Sequence, residues 1–290
     1  MSKPLVLGAN SFIGRHVVAR LGEVFVSARS GALACDVRSR SQVYELVELL
    51  RPTSIVNCTG VVDSENPSLF YDTHVAGTLH LIEAQRSFVP NSPLILLGTA
   101  AEYGPAPPLT AEDYPAQPQT FYGASKLAQT QLAMIAQSQW QLPIFVLRLF
   151  NVIGPGLPKH YFLGALGRRF LQEPRGTVFP VSNYEVTRDF VDVRDVVEAI
   201  YLVLQGAGSA GIVNVCTGVE TSLGTAGSHL AQLAGQKIIP TVAEGEGSFR
   251  VQVSRSAGDP QRLRSWGWQP RYTWQQSICD LWESLCSTTK

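Results

Sequence analysis

A tyrosine at 122 and a lysine at 126 stand four residues apart in the run Thr120-Phe121-Tyr122-Gly123-Ala124-Ser125-Lys126. On a helix that spacing puts both side chains on one face, about one turn apart. A free phenol, with a pKa of about 10, is a poor acid or base at neutral pH. An ammonium one turn away stabilises the phenolate and lowers that pKa. The pair can then pass a proton to or from an alcohol or sugar oxygen while a hydride moves elsewhere. The spacing alone is a weak signal, and its meaning depends on the elements that hold it.

The first of those elements lies at the amino-terminal end. Pro4-Leu5-Val6-Leu7 is a short apolar run that reads as a buried strand. It feeds into Gly8-Ala9-Asn10-Ser11-Phe12-Ile13-Gly14, after which Arg15 to Leu21 repeat apolar residues at helical spacing. Strand, glycine turn and helix in this order form a dinucleotide cradle. Gly8 permits the tight turn and Gly14 lets helix and strand pack closely. The N–H groups of the turn, from Asn10 through Ser11, Phe12 and Ile13, face a pyrophosphate together with the positive end of the helix dipole. Ser11 stands where such turns carry a further glycine, and its hydroxyl either crowds the phosphates or donates to them.

Further on, strands at 24–28, 54–58, 93–97 and 144–147 alternate with helices at 41–50, 67–86 and 122–137. Apolar strands alternating with helices imply an α/β fold, a doubly wound parallel sheet covered on both faces. Ligands in such sheets bind at the carboxyl ends of the strands. Thr99, in Gly98-Thr99-Ala100-Ala101-Glu102-Tyr103-Gly104, directly follows the strand at 93–97. Its hydroxyl is thereby placed to hydrogen-bond the oxygen that Tyr122 protonates. At the far end, 274–285 reads as an amphipathic helix with Ile278, Leu281, Trp282 and Leu285 on one side, and 243–248 as an exposed loop.

Composition narrows the partners. The 290 residues hold 23 Lys and Arg against 23 Asp and Glu, so there is no electrostatic case for nucleic acid or an anionic membrane. No apolar stretch approaches the roughly 20 residues of a membrane span. The first residues lack the layout of a signal peptide. The five cysteines (35, 58, 216, 279, 286) are scattered without metal-like pairing. Cys35, Cys58 and Cys216 sit in or beside apolar runs as small buried thiols, and a reducing cytoplasm suits such a set.

Read together, these motifs resemble the extended short-chain dehydrogenase/reductases, the NAD-dependent epimerase/dehydratase family. The resemblance covers nearly all of the chain. It rests on Gly8 to Gly14, Asn57-Cys58-Thr59-Gly60, Gly77 to Ala84, Thr99 with Tyr103-Gly104, and Tyr122 to Lys126. It continues through Arg148-Leu149-Phe150-Asn151-Val152-Ile153-Gly154-Pro155-Gly156, Arg188 to Val196, and Trp266 to Pro270. The resemblance implies a Rossmann-like lobe for the dinucleotide, 1–156 plus about 188–216. It also implies a smaller carboxyl-terminal lobe for a nucleotide-linked sugar, about 157–187 plus 217–290. By the family pattern Asp36 bonds the adenine amino group, with Val37, Thr59 and Gly60 beside the cofactor. Ala100 and Ala101 line the sugar, Asn151 contacts the substrate near its diphosphate, and Arg188 approaches its nucleotide. Arg250 and Arg255 are further candidates for the diphosphate. A homodimer is expected from the same likeness.

The departures from the family choose among reactions. Sugar 4,6-dehydratases carry Asp then Glu after the catalytic Thr, an acid and a base for removing water. Here those positions are Ala100 and Ala101, and Glu102 comes one residue later, so dehydration is disfavoured. His74 replaces the usual Asn in Asp72-Thr73-His74-Val75-Ala76-Gly77 and brings a group that titrates near neutrality, or one that merely packs. NAD-preferring enzymes place an acid at the end of the second strand. This chain has Ser27-Ala28-Arg29-Ser30, which suits a 2′-phosphate, with Arg15 in support. The expectation is therefore NADPH rather than NADH or NAD. The reaction that the resemblance leads us to expect is reduction of the C4 ketone of a nucleotide-diphosphate 4-keto-6-deoxy sugar, as in the NDP-4-keto-6-deoxyhexose reductases. A 4-epimerase with retained NAD and a non-catalytic nucleotide-binding subunit are the alternatives.

Overall fold

The structure, a computed structural model, describes residues 3–241 and 253–288. The apolar run near the start forms β1 (Leu5–Leu7), and the glycine turn opens α1 (Phe12–Leu21). Then follow β2 (Phe25–Ser27), α2 (Arg40–Leu50), β3 (Ile55–Asn57), α3 (Pro67–Phe70), α4 (Gly77–Phe88), β4 (Leu94–Thr99), α5 (Phe121–Trp140) and β5 (Ile144–Leu149). After β6 (Asn151–Ile153) come α6 (Phe162–Gln172), β7 (Val178–Val181), β8 (Thr187–Asp192), α7 (Val193–Leu204) and β9 (Gly211–Val215). The chain continues through β10 (Glu220–Ser222), α8 (Leu223–Ala234), β11 (Lys237–Pro240), α9 (Gln261–Ser265) and α10 (Trp274–Thr288).

Six strands, in the order β2-β1-β3-β4-β5-β9, form one parallel sheet. Successive side chains of a strand face opposite ways, and both faces here are apolar. Val6, Val56, Ile95 and Leu147 pack on one face with Val17 of α1 and Val196 and Ile200 of α7. Leu5, Leu7, Ile55 and Leu96 pack on the other with Val43 of α2, Leu81 of α4 and Ala133 of α5. The near-continuous apolar runs are thus the signature of strands buried on both sides. From β1 the chain goes outward to β2 and then returns to β3 on the other flank. That reversal opens a crevice at the carboxyl ends of β1 and β3.

A second sheet, β10-β8-β6, and a two-stranded pair, β11-β7, lie over a third core built from α6, α8 and α10. Ile278, Leu281 and Leu285 of α10 are buried there, with Trp282 partly so. The expected lobe division is crossed by hydrogen bonding. β8, from the 188–216 segment of the first lobe, pairs with β10, from the 217–290 segment of the second, while β9 joins the first sheet.

The helix expected over 67–86 is not one regular helix. A π-helical turn over Tyr71–Ala76 separates α3 from α4. Such wide turns concentrate at functional sites, and this one carries His74. All five cysteines are free thiols, with Cys35, Cys58 and Cys216 buried. Among the described residues no helix is long and apolar enough to cross a membrane, and no cluster of His, Cys, Asp and Glu is placed to hold a metal ion.

Candidate active site

The crevice is built from backbone. Gly8 has φ +67°, and a Cβ there would come within 2.8 Å of the Cys58 carbonyl carbon and the Thr59 nitrogen. A Cβ at Gly14 would come within 2.2 Å of the Gly8 carbonyl oxygen. Only glycine lets the loops after β1 and β3 close on each other while α1 starts against them. Ser11 caps α1: its Oγ accepts the Gly14 N–H at 3.1 Å and donates to the Cys58 carbonyl at 3.2 Å. The hydroxyl is therefore engaged in joining the two loops, which removes the expectation that it contacts phosphates. The N–H groups of Phe12 and Ile13 have no protein partner among the described residues. Unpaired first-turn donors above a cradle with no room for Cβ atoms fit a dinucleotide pyrophosphate.

Thr59 beside this cradle is fixed by Asn57, whose Oδ1 accepts its N–H at 3.1 Å and its hydroxyl at 2.6 Å. Asp36 lies along a cavity of about 350 Å³ with Arg38, Ser39, Gln42, Asp72 and Ala76. The Arg38 guanidinium holds the Asp36 carboxyl below the usual range, and Arg29 adds to this. Val37 is buried, and its carbonyl accepts from His80 Nδ1 at 2.8 Å. Arg29 is exposed and makes no hydrogen bond among the described residues. Arg15 turns elsewhere: its guanidinium donates to the Gly156 carbonyl beyond β6. The expected support for a 2′-phosphate thus does not come from Arg15. Arg38 is near Arg29 instead, a placement that no local pattern announced.

At the end of β4, Thr99 caps a single 3-10 turn over Ala100–Glu102. Its Oγ1 accepts the Ala101 N–H at 3.3 Å. Glu102 Oε1 accepts the Thr99 N–H at 2.8 Å, which completes a capping box. Glu102 is fully buried by this fold-back, so it is withdrawn as a candidate acid for dehydration. The half-buried Ala100 and Ala101 carry only methyl groups. α5 starts at the Thr120 cap, where Oγ1 accepts the Gly123 N–H at 3.0 Å, a cap contributing about 1 kcal/mol. A Cβ on Gly123 would meet the Ala101 carbonyl oxygen at 2.6 Å. Gly123 thus lets the first turn of α5 press onto the 3-10 turn and brings Tyr122 close to Thr99.

The Tyr122 ring sits in an aromatic corner, edge-on to His74 at 5.8 Å and to Phe70 at 6.3 Å between centroids. Its phenol is pushed above the ordinary tyrosine value. Burial is the main cause, with Tyr161 from the turn before α6 and Glu102 adding to it, while the bond to Thr99 opposes it. The expected lowering by Lys126 is not found. Lys126 Nζ donates to the Leu97 carbonyl at 2.9 Å and to Gln129 Oε1 at 3.1 Å. Burial brings Lys126 itself down to about 8, with Glu102 pulling upward. Desolvation keeps the proton on the phenol at neutral pH, while Lys126, although lowered by burial to about 8, stays mostly a cation there with support from Glu102.

His74 is not a neutral-range titrator. Nε2 accepts the Val61 N–H at 3.1 Å, and Nδ1 lies 2.8 Å from Ser125 Oγ. Ser125 Oγ in turn donates to the Tyr122 carbonyl at 2.8 Å. With Nε2 accepting, the neutral ring carries its proton on Nδ1. Burial and the Lys126 charge bring the imidazole down to about 2. The ring therefore ties the loop after β3, where Gly60 lies, to the first turn of α5. Ser125 and Gln129 were not read from the sequence, because their bonds to His74 and to the Leu97 carbonyl span tens of residues.

On the other side, Asn151 opens β6 and pairs in register with Phe190, two residues beyond Arg188 in β8. Arg188 is half-buried, its Nη1 donates to the Thr187 carbonyl at 2.7 Å, and burial lowers its pKa. Arg255 is paired with Glu220, with Nε donating at 3.1 Å. Arg250 and the loop at 243–248 lie outside the described residues.

The geometry meets matching relatives. A dTDP-6-deoxy-L-talose 4-dehydrogenase (NAD(P)(+)) of Kitasatospora kifunensis is 32% identical over 96% of this chain and 93% of its own length. A GDP-6-deoxy-D-mannose reductase of Pseudomonas aeruginosa is 29% identical over 96% of each. The crystal structure of a Thermus thermophilus UDP-glucose 4-epimerase in complex with NAD superposes with a TM-score of 0.86 at 26% identity, covering 98% of this chain and 99% of that one. The model of the NAD dependent epimerase/dehydratase family matches residues 4–216. With a parallel sheet, a glycine cradle at its switch point, and a Thr-Tyr-Lys set beside it, this chain belongs to the NAD-dependent epimerase/dehydratase family.

Proposed function

We propose that the protein reduces the C4 ketone of a nucleotide-diphosphate 4-keto-6-deoxy sugar, using NADPH. The observation that carries this reading is the Tyr122 phenol. Burial holds it in its protonated form close to Thr99, next to a turn whose Ala100 and Ala101 offer no acid or base for dehydration. The nicotinamide, when bound, supplies the hydride. Gly8, Asn10, Phe12, Ile13 and Gly14 would hold its pyrophosphate, with Ser11 shaping that turn. Asp36 and Val37 would border the adenine, and Thr59 and Gly60 the middle of the cofactor. An ammonium has three N–H donors. Leu97 and Gln129 engage two of those on Lys126, which leaves one for a ribose hydroxyl. Thr99 orients the sugar C4 oxygen, and Tyr122 gives that oxygen its proton. Asn151, Arg188 and Arg250 are the proposed contacts to the diphosphate and nucleotide.

The preference for NADPH rests on Arg29, which is exposed and makes no hydrogen bond among the described residues; Arg29 and Arg38 both act on Asp36. A guanidinium with unused donors suits a 2′-phosphate. The division into a dinucleotide lobe (1–156 plus 188–216) and a substrate lobe (157–187 plus 217–290) is part of the same proposal.

Following NADPH and NADH absorbance against a panel of nucleotide-linked 4-keto-6-deoxy sugars tests the reading. The expected outcome is one mole of NADPH consumed per mole of product, with NADH at least about tenfold poorer, the scale of a lost charged hydrogen bond. Interconversion of C4 isomers without net cofactor use would instead establish the epimerase, the reading that the Thermus thermophilus likeness favours. Binding of nucleotide sugars without any redox change would indicate a non-catalytic subunit.

A further inference from the structure

Glu102 is the most deeply placed acid near the site, and the mechanism above gives it no task. Its side chain is fully buried directly behind Thr99. Oε1 accepts the Thr99 N–H at 2.8 Å, and Oε2 accepts both Thr130 Oγ1 and Arg148 Nε, each at 2.8 Å. Room for it comes from Gly98 in β4, where a Cβ would come within 2.7 Å of Oε1. Arg148, from β5, is 3% exposed, lies 4.6 Å from the Tyr103 ring centre and donates to the Glu112 carbonyl at 3.3 Å. Tyr103 extends the chain of bonds to Asn214 in β9 at 2.7 Å. Three donors converge on the two oxygens of Glu102. Burial pushes the carboxyl above its ordinary range, and Arg148 first, then the Thr99 N–H and the Thr130 hydroxyl, oppose this in favour of the carboxylate.

We propose that Glu102 is a positioning residue: clamped by Arg148 and Thr130, its carboxylate fixes the backbone that presents the Thr99 hydroxyl and places a permanent negative charge behind Lys126. The proposal rests on the roles given above to Thr99, Tyr122 and Lys126. A buried ion pair contributes little net stability over an apolar pair of the same volume, so stability alone does not account for one at this place. Its location does. One oxygen holds the residue that orients substrate, and the charge faces the two groups that manage the proton. Around Lys126 the charged or titratable groups are Glu102 from the 3-10 turn, neutral His74 from the π-turn and Tyr122 on its own helix. Behind Glu102 stand Arg148, Tyr103 and Glu112. The carboxylate opposes the loss of the Lys126 proton that burial promotes, and it also disfavours the phenolate of Tyr122. Both effects keep the pair in its proton-loaded form at neutral pH.

Two variants of the full chain, Glu102→Gln and Glu102→Asp, separate charge from position. The Lys126 protonation midpoint is followed by NMR of side-chain-labelled lysine, which needs no turnover. kcat, KM and their pH dependence are followed with NADPH and a nucleotide-linked 4-keto-6-deoxy sugar. In Glu102→Gln the Lys126 midpoint is expected to move about one pH unit toward acid, the scale set by losing a nearby opposite charge. The basic limb of kcat moves with it, and kcat at neutral pH falls about tenfold or more with KM little changed. In Glu102→Asp the charge remains but the shorter side chain loses its reach to the Thr99 N–H. There the midpoint stays put while kcat falls. An unmoved Lys126 midpoint in Glu102→Gln, or an unchanged kcat in Glu102→Asp, overturns the proposal. If Glu102→Gln fails to fold, the Asp variant decides it. If the wild-type protein shows no redox turnover, the reading of function fails, and the Lys126 titration still decides the role of Glu102.

Discussion

The crevice at β1 and β3 and the pocket at the end of β4 do different work with different materials. The crevice is made by leaving side chains out: Gly8 and Gly14 allow backbone to touch backbone, and the Ser11 hydroxyl is consumed as a helix cap. The β4 pocket is made by putting side chains in. Thr99, Glu102, Tyr122, Ser125, Lys126 and His74 are each fixed by a partner far along the chain or on another element. A pocket of the first kind fails by steric intrusion, whereas one of the second kind fails by loss of a single polar atom. Shape complementarity to a constant ligand part needs only backbone. Proton transfer needs groups whose charge states are set by their surroundings.

The largest effect separating the two regions is expected from Tyr122→Phe. Removing one oxygen should lower turnover by about 10³-fold, the usual range for a lost general acid. Tm and cofactor affinity should remain near wild type, because the aromatic corner with His74 and Phe70 is kept. Stopped assays alongside thermal melts check this. Turnover within a few-fold of wild type would remove Tyr122 from the chemistry.

Gly14→Ala should show the opposite pattern. Its Cβ would meet the Gly8 carbonyl oxygen, a backbone atom that cannot rotate away. A destabilisation of about 1–3 kcal/mol, typical of overpacking, is expected. Cofactor affinity should fall with it, while any cofactor still bound should turn over at a nearly normal rate. Calorimetry and cofactor titration would show whether the crevice yields instead.

The smallest effect concerns the link between the regions. The His74 ring is held at about 2 in the folded protein against an ordinary 6.5. Between those values the unfolded chain binds a proton that the folded chain excludes, so stability falls as pH drops below 6.5. At about pH 5 the loss should approach 2 kcal/mol, at roughly 1.4 kcal/mol per pH unit. In His74→Asn, which does not titrate, the fall in Tm between pH 7 and pH 5 should be shallower. Equal slopes for the two proteins would mean that other groups govern acid stability.

Much of this was legible from local pattern, because the reasons are local. Gly8 and Gly14 stand out since a tight turn against a helix start needs them within seven residues. Tyr122 and Lys126 stand out since a helix brings i and i+4 together. The parallel sheet follows from short, nearly continuous apolar runs alternating with helices. The break in the expected 67–86 helix was not legible, as a π-turn has no strong residue preference, and neither was the pairing of β8 with β10 across the expected lobe boundary. The direction of the Tyr122 shift was misjudged for a related reason. Charge spacing can be counted along a sequence, but burial cannot.

The sequence by itself determined the fold class, the glycine turn of the cradle and which residues are proposed to handle the proton, because propensity, turn chemistry and helical spacing act over a few residues. Tertiary structure alone decided their charge states and engagements: a protonated phenol, a lysine tied to Leu97, a neutral histidine between two loops, and Glu102 turned inward to Arg148. Those depend on desolvation and on partners brought from distant segments, and such quantities exist only once the chain has closed on itself.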